Sequence, residues 1–179
     1  RVSGGSQRSL GVFAQDLFSP IANFTLTLSA RVDSWRNYDA HNLESTIATG
    51  QPTANNRDTL ADKSDNAFSP RGAILYRAND RVSVWGSVSN GFRAPTLNEL
   101  YRQFRVGAVL TPANEALGPE RLTGVEAGVS IAATDRVTVR GTVFNNRVKE
   151  PIANVSINAL GTVRQRRNLG STNIGGFQS

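Results

Sequence analysis

From Phe24 to Asp33 the chain alternates without a lapse, with Phe24, Leu26, Leu28, Ala30 and Val32 on one face and Thr25, Thr27, Ser29, Arg31 and Asp33 on the other. An extended strand sends successive side chains to opposite sides, so this pattern specifies a two-faced strand. The period returns in Val82, Val84, Gly86 and Val88, in Val125, Ala127, Val129 and Ile131, and in Val137, Val139, Gly141 and Val143. Leu10 to Phe18, Gly72 to Ala78 and a return strand from Val163 toward Phe177 follow it more loosely, and no amphipathic helix of useful length competes. The composition agrees: 19% of residues are charged, 39% are hydrophobic, and much of the polarity comes from Gly, Ser, Thr and Asn. These residues suit strands and turns, whereas helix surfaces favour Glu and Lys.

The spacing of the strands carries more. Short links at Ser19 to Ala22, Asn79 to Asp80 and Thr134 to Asp135 alternate with long ones at about Asn37 to Ala67 and about Arg93 to Glu120. Each short link holds Pro, Asn or Asp, the residues that turn a chain tightly. One end of the sheet is therefore trimmed and the other elaborated. Soluble sandwiches use strands of about 5 to 6 residues, but these runs reach about 10 to 14. At about 3.3 Å per residue and a tilt near 45°, some 11 residues cross roughly 25 Å, the apolar band of an outer-membrane barrel.

The faces fit that reading. The polar face is Ser, Thr, Gly and single arginines, as in a crowded or water-filled lumen, without the Lys and Glu of an exposed soluble sheet. Phe24 and Tyr76 near short turns, and Phe92 near a long loop, stand in phase on the apolar face, where an interfacial aromatic girdle would sit; the plainer reading is that they are ordinary sheet aromatics. No run of 18 apolar residues occurs, so no transmembrane helix is encoded. A start at Arg1 without a signal peptide and an end at Gly-Gly-Phe-Gln-Ser suggest an internal piece of a longer protein.

Other functions find little support. The chain has no Cys, which excludes disulfides, thiolate nucleophiles, Cys-ligated zinc and iron-sulfur clusters. His41 is the only imidazole, and no G-x-S-x-G, P-loop, G-x-G-x-x-G or His-x-x-x-His accompanies it. Asp58, Asp62 and Asp65 lack the glycine and bidentate Glu of a calcium loop. A net charge of +6 raises nucleic-acid binding, but 18 arginines are scattered along the chain and only Arg164, Arg166 and Arg167 cluster. The reading is therefore no enzyme, no cofactor and no nucleic-acid partner. The N-x-S/T matches at Asn23 and Asn154 are placed within strands and imply no glycosylation.

At the fourth strand the residues become specific. Arg81 to Tyr101 reads RVSVWGSVSNGFRAPTLNELY, and Ala113 to Ile131 reads ANEALGPERLTGVEAGVSI. Together they closely resemble the barrel of TonB-dependent outer-membrane receptors: a GFRAP-like strand end (Gly91 to Pro95), an NELY-like segment (Asn98 to Tyr101), an N-x-x-L-x-P-E stretch (Asn114 to Glu120) and an E-x-G pattern (Glu126 to Gly128). FAQDLF (Phe13 to Phe18), LSARVD (Leu28 to Asp33) and RQRRNLGSTNIGGF (Arg164 to Phe177) resemble further segments in the family's order. The last departs from the usual G-V-E ending, having Gly176-Phe177-Gln178, which loosens the final register.

The resemblance implies an all-β fold, an antiparallel transmembrane β-barrel of which residues 1–179 supply about seven strands out of 22, with the plug, the TonB box and the closing strands outside the chain. It implies a location in the cell outer membrane of a Gram-negative-type bacterium and a part in active transport. An extracellular ligand, whether siderophore-type iron chelate, cobalamin, carbohydrate or peptide, would be taken up with energy from TonB, engaged through the missing N-terminal region. Outer-membrane lipid and lipopolysaccharide would be the remaining partners. The alternative is a structural or adhesive β-sheet protein without transport. Pro95 is expected to end its strand and Pro119 to end the following loop, and Glu126 and Arg140 to point inward. Ligand-binding residues are expected in the long loops: Tyr101, Arg102 and Arg105 in one, Tyr38, His41 and Arg57 in the other, where aromatic faces and guanidinium forks suit anionic, ring-bearing or metal-chelate ligands.

Overall fold

The computed structural model describes residues 1–179. In chain order it contains β1 (Val2–Ile21), β2 (Phe24–Leu43), β3 (Lys63–Arg77), β4 (Val82–Arg93), α1 (Leu97–Tyr101), β5 (Phe104–Val106), β6 (Val109–Thr111), β7 (Glu120–Thr134), β8 (Val137–Lys149), β9 (Ile152–Ser156), β10 (Arg164–Asn168) and β11 (Ser171–Gln178). Seven strands form one sheet in the order β1-β2-β3-β4-β7-β8-β11, each antiparallel to the next. The hairpins β5-β6 and β9-β10 stand apart from it, in the second and third long connections.

The ladder places Leu26, Ile74, Gly86, Ala127, Val143 and Phe177 in one row, and Phe24, Tyr76, Val84, Val129 and Gly141 in the next apolar row. The alternation read in each strand thus sums to a single apolar face. Nothing covers it: Phe18, Leu28, Phe68, Ile74, Val88, Val125, Val139 and Phe177 are all exposed. Only 13 of 179 residues are buried, so no second sheet packs on this one as in a sandwich. The sheet is open, with β1 and β11 as its edges. Thr27, Ser87, Ser130 and Arg140 share the opposite face, as does Glu126, although neither Glu126 nor Arg140 enters an ion pair.

That opposite face packs sideways. Trp85 is paired with Gly128, and a Cβ on Gly128 would stand 2.5 Å from the indole Nε1. Phe144 lies over its partner Gly176 in the same way, at 2.7 Å from the position of a Cβ. Large inward side chains therefore lie flat across a glycine on the neighbouring strand.

Several expectations change. The strands outrun the sequence pattern: β2 continues to Leu43 and β3 starts at Lys63, so the first long connection shrinks to residues 44–62. The continuation is hidden because β2 changes phase. Asp39 has a φ of 53°, and the β1-β2 register shifts between Gly4 and Ser6. Below this bulge Asp33, Trp35 and Asn37 are buried; above it Ala40 and Asn42 are. One extra residue has reversed the parity. The expected return strand from Val163 is two strands, β10 in its own hairpin and β11 in the main sheet. Asn23 lies in the tight turn between β1 and β2, not within a strand, whereas Asn154 is in β9. Pro95 and Pro119 flank the β4-β7 connection as anticipated.

Candidate functional site

The three long connections, residues 44–62, 94–119 and 150–170, gather at one end of the sheet into a single cap. Its core is Ala40, Leu60, Leu100, Tyr101 and Leu117, with Leu97 and Ile152 against it. The helix α1 starts with a capping box: Thr96 and Glu99 exchange side-chain and backbone hydrogen bonds. Leu97 reaches β1 where Gly5 has no side chain, its Cδ2 lying 3.5 Å from where a Cβ would be.

Polar contacts cement the cap. Arg93, at the end of β4, donates from Nε to Glu120 Oε2 at 2.7 Å and from Nη1 to Glu99 Oε2 at 2.9 Å. The Ile152 amide donates to the other Glu120 oxygen at 2.6 Å. These bonds from Arg93 hold Glu120 below the usual carboxylate range. For Glu99, burial pushes upward, but bonds from Arg93 and Thr96 bring the net value below the ordinary one. Asn114 Nδ2 donates to the Arg166 carbonyl at 2.6 Å, while Asn168 and Gly118 exchange bonds of 2.8 and 3.1 Å. Lys63 Nζ donates to the carbonyls of Glu115 and Leu117, and its own pKa is lowered by burial.

The expected ligand residues divide. Tyr101 is buried, its hydroxyl donating to the Ala61 carbonyl at 3.4 Å. Arg57 and Tyr101 share a cavity of about 180 Å³ with Arg1, Asn42, Gln103 and Glu115, where Arg57 Nη2 is 3.4 Å from Glu115. Arg102 and Arg105 are exposed on either side of Phe104, whose ring is covered by Arg166 at 4.9 Å. Tyr38 and His41 belong to β2, not to a loop, and fall on either side of the bulge, off the buried positions. Sequence reading did not single out Arg93, Glu99 and Glu120 as a set, though the Thr96-x-x-Glu99 capping box was a visible signal.

An open antiparallel sheet of long strands with one apolar and one polar face, tight turns at one end and an ordered cap at the other has the build of a stretch of β-barrel wall. A model of the family described as TonB dependent receptor-like, beta-barrel matches residues 1–178. The chain belongs to the TonB-dependent receptors. It is 26% identical over 156 residues to the TonB-dependent heme receptor A of Haemophilus ducreyi, a match covering 83% of this chain and 20% of that protein. Among solved structures it is similar to the Serratia marcescens hemophore receptor HasR, seen with its hemophore HasA and heme, with TM-score 0.78 and 17% identity over 97% of this chain and 31% of that one. It is also similar to the copper transporter OprC, with TM-score 0.76 and 16% identity over 96% of this chain and 25% of that one. The chain thus spans about a fifth to a third of these relatives.

Proposed function

We propose that this chain is the loop-bearing wall of an outer-membrane receptor that binds an extracellular metal chelate, with heme as the first candidate, and takes it up with energy from TonB. It would supply seven strands of a 22-stranded barrel whose plug and TonB box lie outside it. The wall would contact outer-membrane lipid and lipopolysaccharide, with the cap facing the medium. The observation that carries the reading is the cap's anchoring: Tyr101 is fixed in the core while Arg102 and Arg105 stand exposed beside it, so the guanidinium groups are presented from a fixed base. Arginine forks of this kind bind carboxylates such as heme propionates. The names of the heme and hemophore receptors above support the ligand class. The chain would bind and pass its cargo unchanged.

The test uses the complete receptor in detergent, titrated with heme by absorbance and with a ferric catecholate by fluorescence quenching. Arg102→Ala with Arg105→Ala should weaken binding of the cognate ligand by about tenfold or more, as expected for losing charge-assisted bonds. Tyr101→Phe, which removes one hydroxyl, should leave it unchanged. Unaltered affinity in the double variant would remove this segment from the site.

A further inference from the structure

We infer that the polar, inward face carries a second binding site for a carboxylate-bearing cargo, at the tight-turn end of β3, β4, β7 and β8 and formed by Arg77, Arg81 and Arg140. The inference rests on the receptor reading above and adds to it a site remote from the cap. In the ladder Arg77, Ser83, Ser130 and Arg140 make one row, on the same face as Thr27 and Ser87. Arg81 lies in the turn between β3 and β4, where Asn79 Oδ1 accepts from the amides of Arg81 and Val82 at 2.9 Å each and fixes the turn. The three arginines border a cavity of about 680 Å³. That is the size of a small-molecule site, about 300–1,000 Å³. Ser83 and Ser130 line it between Arg77 and Arg140 and add neutral hydrogen-bonding groups.

Charge along the inward face decides what the cavity takes. Toward the cap the inward arginines are already neutralised: Arg31 holds Asp33 at 2.7 Å, and Arg93 holds Glu99 and Glu120. At the turn end they are free, since Arg77, Arg81 and Arg140 enter none of the chain's seven ion pairs. Asp80 is the one acid on the cavity, so three cations against one carboxylate leave two positive charges. Asp135 in the next turn is offset by Arg136 beside it. Glu126, two inward rows nearer the cap, is matched in number by Arg71 one row beyond. An excess of two guanidinium charges suits a ligand with paired carboxylates, each taken by a planar fork. Heme, with its propionates, has that chemistry. Ser83 and Arg93 are ten positions apart in β4. At about 3.3 Å per residue that is about 33 Å of strand, which makes this a separate site and not an extension of the cap. A cargo leaving the cap would move toward growing positive charge.

The test counts heme bound per complete receptor in detergent, by absorbance titration. Wild type should bind a first, tight equivalent and a second one about tenfold or more weaker. Arg77→Gln with Arg140→Gln should remove the second and leave the first, whereas Arg102→Ala with Arg105→Ala should weaken the first and leave the second. Ser83→Asp, a single change that sets a carboxylate beside Arg77 in the row, should weaken the second equivalent by about tenfold, which keeps the question decidable if the double variant does not fold. Heme dimethyl ester, whose carboxylates are masked, should not fill the second site. A single equivalent in wild type overturns the inference and leaves the receptor reading standing. A second equivalent that survives both the Arg77→Gln with Arg140→Gln and the Ser83→Asp changes overturns it too. So does a lowered gel-shift temperature in the double variant with heme binding unaltered, which would give these arginines to acidic side chains of the plug. No heme bound at either site would instead overturn the ligand class proposed above, and this site with it.

Discussion

Arg93 and Glu120, the last residue of β4 and the first of β7, face each other across the ladder and are joined at 2.7 Å, while the same guanidinium holds Glu99 of the helix between them. A connection of 26 residues, 94–119, is thereby closed at its base by one side chain. Closing a loop costs entropy that grows slowly with length, so a clamp at the base is an effective place to recover it.

Replacing Arg93 by Ala should loosen the cap by about 1–2 kcal/mol, a figure held down by solvent screening of a partly exposed pair. Limited proteolysis within residues 94–119 in the complete receptor would read this as faster cleavage. Acid should act the same way. Glu99 and Glu120 both lie below their ordinary 4.5 in the folded cap. Their contribution is therefore complete above that value and is lost as the pH falls through the lowered folded values. Hydrogen exchange at the Ile152 amide, referenced to an amide in β8, should accelerate in that window and not above pH 5, allowing about half a unit.

The two faces can be separated by labelling. Single Cys substitutions at Thr27, Ser87, Ser130 and Arg140 should react with a membrane-impermeant reagent, and those at Leu26, Val84, Val129 and Val139 should not. Arg at Val84 or Val139 should cost about 2–4 kcal/mol where it falls near the bilayer midplane. Equal labelling of both sets would contradict the ladder described above.

The bulge at Asp39 should be sensitive to backbone chemistry. Asp39→Gly fits the φ of 53° and should be tolerated, whereas Asp39→Val should cost about 1–2 kcal/mol. Deleting Asp39 should be worse than either, because Ala40 and Asn42 would turn away from the cap. The temperature at which the heat-modifiable gel shift is lost ranks the three.

Gly128→Ala should destabilise the wall by about 1–3 kcal/mol, since its Cβ enters the space of the Trp85 ring. In a Trp85→Ala background the same change should cost almost nothing. A double-mutant cycle would show that coupling, and simple additivity would exclude the contact.

The loop-side parts of the two segments that resemble the family most closely, Arg93 to Tyr101 and Ala113 to Glu120, build the cap. Leu117, Leu100 and Pro95 are fully buried, Asn114 holds the Arg166 carbonyl, and Arg93 and Glu120 form the clamp. The sequence shows such residues as a motif without showing what they touch, because Asn114 and Arg166 meet across 52 positions of chain. Residue type within a loop does not distinguish the buried Tyr101 from the exposed Arg102 next to it.

Local periodicity determined the central stretches of the main-sheet strands, their two faces and the short turns, and strand length with the spacing of the links pointed to the barrel class, because a side-chain period of two is a property of the extended backbone and needs no partner to be legible. The phase change at Asp39, the split of the last segment into β10 and β11, and the joining of three long connections into one cap were decided by tertiary structure. Each depends on which strand or loop lies alongside, and a change of register or a contact between distant loops leaves no period in the chain that makes it.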